Sequence, residues 1–145
     1  MTNLLDAFGT YLPTQITVSK YGTTQGLVLG QNLFLGRLPA EAPNSAVLIQ
    51  QYAAGAPTFT MGTAVFALEN PRIQIQVRGE PEDYPGTWSW TRAIQYAMGA
   101  FTSITTLDGL TILRAEPTSA PNPLPYDDAN RPKFTINFQV TVAPY

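Results

Sequence analysis

The chain has 145 residues, the length of one compact domain, and its 44% hydrophobic content is enough for a core. Only 12% of residues are charged, and ten acids against eight bases leave a net charge of −2, which excludes a basic, phosphate-neutralising nucleic-acid binder. With neither His nor Cys, the sequence also lacks an imidazole base, a thiolate nucleophile, disulfides and the usual structural zinc ligands.

Residues 2–12 carry Leu4, Leu5, Phe8, Tyr11 and Leu12 on one helical stripe. Thr2 or Asn3 is available as N-cap, and Pro13 is expected to stop the helix. No Lys or Arg precedes Lys20, so this start does not read as a secretory signal, and no apolar run approaches the roughly 18 residues of a membrane span. Assembly in a cytoplasm is therefore expected. Gly22, Gly26 and Gly30 then interrupt Leu27, Val28 and Leu29, which read as loop around a turn.

Residues 32–38 and 45–52 are expected to be strands joined by a Pro-containing connection, with apolar centres that suggest burial on both faces over part of their length. Residues 53–70, rich in Gly, Ala and Thr, fit either a long hairpin or an arm. Residues 72–79 alternate cleanly: Ile73, Ile75 and Val77 share one face, Gln74, Gln76 and Arg78 the other. A helix is expected over 84–100, capped by Asp83, with Pro85 in its first turn. Its buried stripe would be Trp90, Ile94, Ala97, Met98 and Phe101.

Asp108-Gly109 signals a turn before a strand at 110–116. Residues 117–132 hold five prolines and are expected to be a loop without regular structure. In the last strand, 133–142, Phe134, Ile136, Phe138, Val140 and Val142 alternate with Thr135, Asn137, Gln139 and Thr141. The whole chain, 1–145, thus reads as one α+β domain: a single mostly antiparallel β-sheet with two amphipathic helices packed on one face. The opposite face would carry Gln, Asn and Thr with little charge, which suits a protein–protein contact or a channel wall.

Candidate chemical constellations are weak. Asp128-Ala129-Asn130 opens like a calcium loop, but Lys133 stands where Gly is required, so a solvated loop around Asp127 and Asp128 is the simpler reading. Glu80, Glu82 and Asp83 are better explained by helix capping and dipole than by acid–base catalysis. Neither a phosphate-binding GxxxxGK[ST] loop nor a GxGxxG fingerprint occurs. Tyr84, Trp88 and Trp90 could form an aromatic platform for a sugar or base, although a core Trp90 and a packed Trp88 are simpler. Arg72, Arg78, Arg92, Arg114 and Arg131 are scattered as single surface positions. No enzyme, cofactor or metal is indicated.

Three stretches, LFLGRLP at 33–39, NPRIQIQVRG at 70–79 and NRPKFTINFQV at 130–140, together with a helix before the first and another after Arg78-Gly79, carry a resemblance. In their order and spacing the chain resembles the small minor capsid and tail terminator proteins of long-tailed bacteriophages, the group that includes lambda-like tail terminators. The Pro85-Gly86 helix start with its two tryptophans departs from the more regular charged helix of that family, and the loop before Arg131-Pro132 differs in length.

The resemblance implies a structural virion protein that forms a hexameric ring on the head-proximal end of the tail tube. Such a ring stops tube polymerisation and offers the surface for joining to the head. Implied partners are other copies of the chain, the tail tube protein and a neck or head-completion protein, with DNA passing through the lumen unbound. Phe59, Met61 and Phe66 are candidate contacts to neighbours, because apolar residues in a Gly-rich segment need cover; ordinary core positions are the competing reading. The row Gln74, Gln76, Asn137 and Gln139 is the second interface or lumen candidate. The alternatives are a head–tail connector or stopper of the neck, and a monomeric ligand- or sugar-binding module built on the aromatic trio.

Overall fold

In a computed structural model, the described residues are 4–16, 26–59, 67–100, 104–105 and 111–143, with backbone alone for 53–59, 67–69 and 104–105. The element order is α1 (Leu4–Gln15), β1 (Leu33–Leu35), β2 (Ala46–Phe59), β3 (Ala67–Arg78), α2 (Tyr84–Ala100), β4 (Ile104–Thr105), β5 (Thr111–Pro117), β6 (Asn122–Leu124) and β7 (Lys133–Ala143). The strands form one sheet in the order β1-β2-β3-β7-β5-β4, with β6 also paired to β7. Every pairing is antiparallel except β1 with β2. The α+β architecture with both helices on one sheet face is the one the sequence implies.

The alternating strands explain why the core lies on that face. Ile73, Ile75, Val77, Ile136, Phe138, Val140 and Val142 point to it and are buried, as are Val47 and Ile49 of β2. Leu4, Phe8 and Leu12 of α1 and Trp90, Ile94, Ala97 and Met98 of α2 close over them in one continuous cluster. Tyr11 joins the helices, its hydroxyl donating to the Ala97 carbonyl at 3.0 Å, one of the last-turn carbonyls that lack a partner within α2. Gly9 lets α1 approach β1: a Cβ there would sit 3.1 Å from a Leu35 methyl.

α2 has the expected limits because its start is fully specified. Asp83 accepts the Gly86 N–H at 3.1 Å through Oδ1, and Pro85 occupies a position with no N–H to satisfy. Gly79 is the close-approach residue of the β3–α2 connection, since a Cβ there would lie 1.7 Å from Thr87 Oγ1.

Several expectations are corrected. Pro13 does not stop α1 but lies inside it, and the helix continues to Gln15 because Ile16 is fully buried and its N–H still reaches the Leu12 carbonyl. The first strand is only Leu33–Leu35, since Gly36 takes a left-handed φ of 77° immediately after it. Within 53–70, the described residues 53–59 and 67–70 belong to β2 and β3, which pair out to Phe59 and Ala67 with two register shifts, as the hairpin reading has it. β3 therefore begins before the expected Arg72 and runs through Pro71, where its ladder to β7 is interrupted between Glu69 and Arg72. The Pro-rich segment contains β6, whose Pro123 sits opposite Phe134 on a sheet edge, where a missing N–H is tolerated. Phe101, Asp108, Gly109, Gly22 and the Thr2/Asn3 cap lie outside the described residues.

Candidate functional site

On the face of the sheet turned away from the helices, amides meet across three strands. Register sets Gln50 opposite Gln74 and Gln74 opposite Asn137, so three strands present one amide each in a line. Gln50 Nε2 donates to Gln74 Oε1 at 2.8 Å, and Gln74 Nε2 donates to Asn137 Oδ1 at 3.1 Å. Each bond uses a neutral donor and acceptor, so three strands are linked without any charge. Gln76 lies opposite Leu48 and Thr135, and Gln139 lies opposite Arg72 and Glu116. The structure thus brings Gln74 and Asn137 into direct contact and sets Gln76 and Gln139 on the same face. Gln50 completes the row and was absent from the sequence candidates. The signal was there: Val47 and Ile49 fix the inward parity, which turns Gln50 outward, but a continuous apolar centre hid the alternation.

At one end of the sheet, a polar network fastens the end of β3 and the β3–α2 turn to the segment before β2, and Asp127 and Arg131 tie down the turn before β7. Arg78 donates to the carbonyls of Asn44 at 3.1 Å and Pro43 at 2.7 Å. Glu80 accepts from Ser45 Oγ at 3.1 Å and Asn44 Nδ2 at 3.2 Å. Asp127 Oδ1 accepts the N–H groups of Ala129 and Arg131, and its Oδ2 pairs with Arg131 Nε at 2.8 Å. Desolvation works to raise the Asp127 pKa, but the Arg131 and Ala129 N–H donors and the Arg131 guanidinium outweigh it and hold the carboxyl below the ordinary value. Burial, with the nearby Arg131 cation, lowers the pKa of Arg78.

These contacts account for three of the five acids considered for chemistry. Asp127 is committed to a turn, Glu80 to the β2 start and Asp83 to the α2 cap. Among the described residues no three acids gather as a metal-ligating group.

The aromatic trio divides. Trp90 is buried in the core at 6% exposure, whereas Trp88 and Tyr84 are on the other side of α2, over the fully buried Phe134 at 5.4 and 5.1 Å between ring centroids. Trp88 continues instead into a stripe with Arg92 and Tyr96. The Arg92 guanidinium lies 5.8 Å from the Trp88 ring centre and 5.0 Å from that of Tyr96, and it donates to the Tyr96 hydroxyl at 2.7 Å.

Of the apolar contact candidates, Met61 and Phe66 lie outside the described residues. Phe59 is the last residue of β2, with its backbone opposite Ala67. Comparison of the chain with known protein families and with curated proteins gives no match. Among the described residues no helix is long and apolar enough to cross a membrane.

Proposed function

We propose that this chain is a structural virion protein of the tail terminator type, forming a ring on the head-proximal end of a phage tail tube. The resemblance of the three strand motifs supplies the class, and the observation that carries the reading is the hydrogen-bonded amide row Gln50–Gln74–Asn137 on the sheet face away from the helices. The row joins three strands through neutral amides, so bringing it against another protein desolvates no buried ion there. The mechanism is geometric. A ring seated on the last tube layer presents a surface to which a further tube subunit cannot add, and that surface receives the neck.

The test is tube growth. Purified tube subunits polymerising in the presence of this protein are expected to stop elongating, with a ring of the chain seen at one tube end by negative-stain imaging. Tubes that continue to grow with no ring at either end would overturn the reading. Binding to filled heads without binding to tubes would replace it with a neck connector.

A further inference from the structure

Helix α2 has two faces of different character. Trp90, Ile94, Ala97 and Met98 are buried in the core. Tyr84, Trp88, Arg92 and Tyr96 recur at every fourth position and so line another side of the helix. The three aromatic residues of that line stay exposed, Trp88 at 37%, Tyr84 at 43% and Tyr96 at 55%. Arg92 is half-buried between two of them, with its guanidinium 5.8 Å from the Trp88 ring centre and 5.0 Å from that of Tyr96. It donates to Gln95 Oε1 at 3.1 Å and to the Tyr96 hydroxyl at 2.7 Å. A cation held by two rings and two hydrogen bonds has already lost most of its rotamer freedom, so a ligand meets it preorganised. Trp88, Ser89, Arg92, Ala93 and Tyr96 line an open groove of about 350 Å³.

The charge in this groove is uncompensated. Arg92 is the only charged residue of α2, both oxygens that it donates to are neutral, and among the described residues no carboxylate pairs with it. Gln95 donates to the Ser119 carbonyl at 3.5 Å, and that neighbouring segment carries no charge from Thr118 to Tyr126. One cation matches one carboxylate. A nucleic-acid strand, charged at every phosphate, would find a single counter-charge here. The rings define the rest of the ligand. Trp88 and Tyr96 are separated by about 12 Å along the helix axis, at ~1.5 Å per residue, with Arg92 midway. A polyproline II segment rises ~3.1 Å per residue, so four of its steps cover that distance, and its prolines dock on aromatic faces with little entropy left to lose.

We propose that the line Trp88–Arg92–Tyr96 is a docking site for an extended, proline-containing acidic segment of a partner protein. A Glu or Asp of that segment pairs with Arg92, and prolines two residues to either side lie on Trp88 and Tyr96. The site belongs to α2 alone and stands whether or not the chain forms a ring.

The probe is the peptide acetyl-Pro-Ala-Glu-Ala-Pro-amide, titrated into the isotope-labelled full chain and followed by NMR. Saturable shifts of the Trp88 indole and Arg92 guanidinium N–H signals are expected, with the buried Trp90 indole unmoved and the affinity falling as salt is raised. The same peptide with Gln in place of Glu should bind about fivefold more weakly. Arg92→Gln should erase that preference, and Tyr96→Ala should weaken both peptides. If Arg92→Gln fails to fold, the Glu and Gln peptides compared on the parent chain decide. Equal affinity for the two would overturn the carboxylate pairing, and no shift at Trp88 at any soluble concentration would overturn the site. Shifts of the same signals by maltopentaose or by oligothymidylate, with none from the peptide, would overturn it in favour of a sugar or a nucleic-acid site.

Discussion

Gln74 donates to Asn137 Oδ1 at 3.1 Å, joining the centres of β3 and β7 through side chains as well as backbone. Both residues are half-buried, so the bond is partly shielded from water. Gln74 also accepts from Gln50, which makes it the one residue that touches both other members of the row. Replacing it by Leu removes both bonds and strands two amides, for an expected loss of about 1–2 kcal/mol in urea denaturation. Gln139→Leu, at an exposed position on the same face, should change stability by less than about 0.5 kcal/mol. A double-mutant cycle between Gln74→Leu and Asn137→Leu should return a coupling of about 0.5–1.5 kcal/mol; no coupling would mean that the row is not formed in solution.

Gly79 is set by distance to α2 and not by its own backbone angle. Its absent Cβ would stand 1.7 Å from Thr87 Oγ1 and 2.8 Å from Thr87 Cβ, and both belong to a buried residue of the first helical turn. Gly79→Ala therefore has to displace α2, with an expected cost of about 3 kcal/mol read from thermal or urea unfolding. Thr87→Ala in the same protein removes the nearer atom and should restore part of that loss. Thr87→Ser keeps the oxygen and should restore none. Equal rescue by the two would show that the contact is relieved some other way.

What the sequence discloses and what it hides follow one rule: side-chain periodicity reveals faces, while pairing partners leave no mark. β7 was legible because Phe134 through Val142 alternate without a break, and α2 was legible because Asp83 and Pro85 fix its first turn. The parallel pairing of Leu33–Leu35 with Val47–Ile49 had no such signal, since a short apolar run carries no direction. Pro13 and Pro123 misled for different reasons. Pro123 lies on a sheet edge, which can do without its N–H, whereas Pro13 removes one bond near the end of α1 and the helix is held past it because the buried Ile16 still donates to the Leu12 carbonyl. The amide row was half legible: Gln74 and Asn137 alternate with obvious core residues, whereas Gln50 sits at the end of the uninterrupted run Val47-Leu48-Ile49.

The two tryptophans should report opposite environments. Trp90 is buried in the core, and its indole N–H has no acceptor among the described residues. Trp88 is partly exposed over Phe134. Trp90→Ala is expected to cost about 3–5 kcal/mol by opening a cavity. Trp90→Phe should cost less than half of that, because no indole hydrogen bond is lost. Trp88→Ala should cost about 1–2 kcal/mol through the uncovering of Phe134. Fluorescence checks the assignment independently: the Trp88→Phe protein, with Trp90 alone, should emit to the blue of the Trp90→Phe protein.

Asp127 gives the pH dependence its sign. Its folded-state pKa lies below the ordinary carboxylate value, against desolvation, because Arg131 and the Ala129 N–H favour the ionised form. A depressed folded pKa means that its stabilisation is present in full above the unfolded pKa of about 4 and is lost as pH falls through the folded one. Asp127→Asn keeps an acceptor for the backbone N–H groups but cannot ionise. The variant should be less stable than the parent at pH 7, and the gap should shrink steadily below about pH 4, measured as urea midpoints at a series of pH values. Glu116→Gln is the control: its pairing with Arg114 at 3.0 Å is between two exposed side chains, and its removal should shift the midpoint little at any pH. A gap between Asp127→Asn and the parent that stays constant down to pH 2 would show that the loss comes from turn geometry and not from the charge.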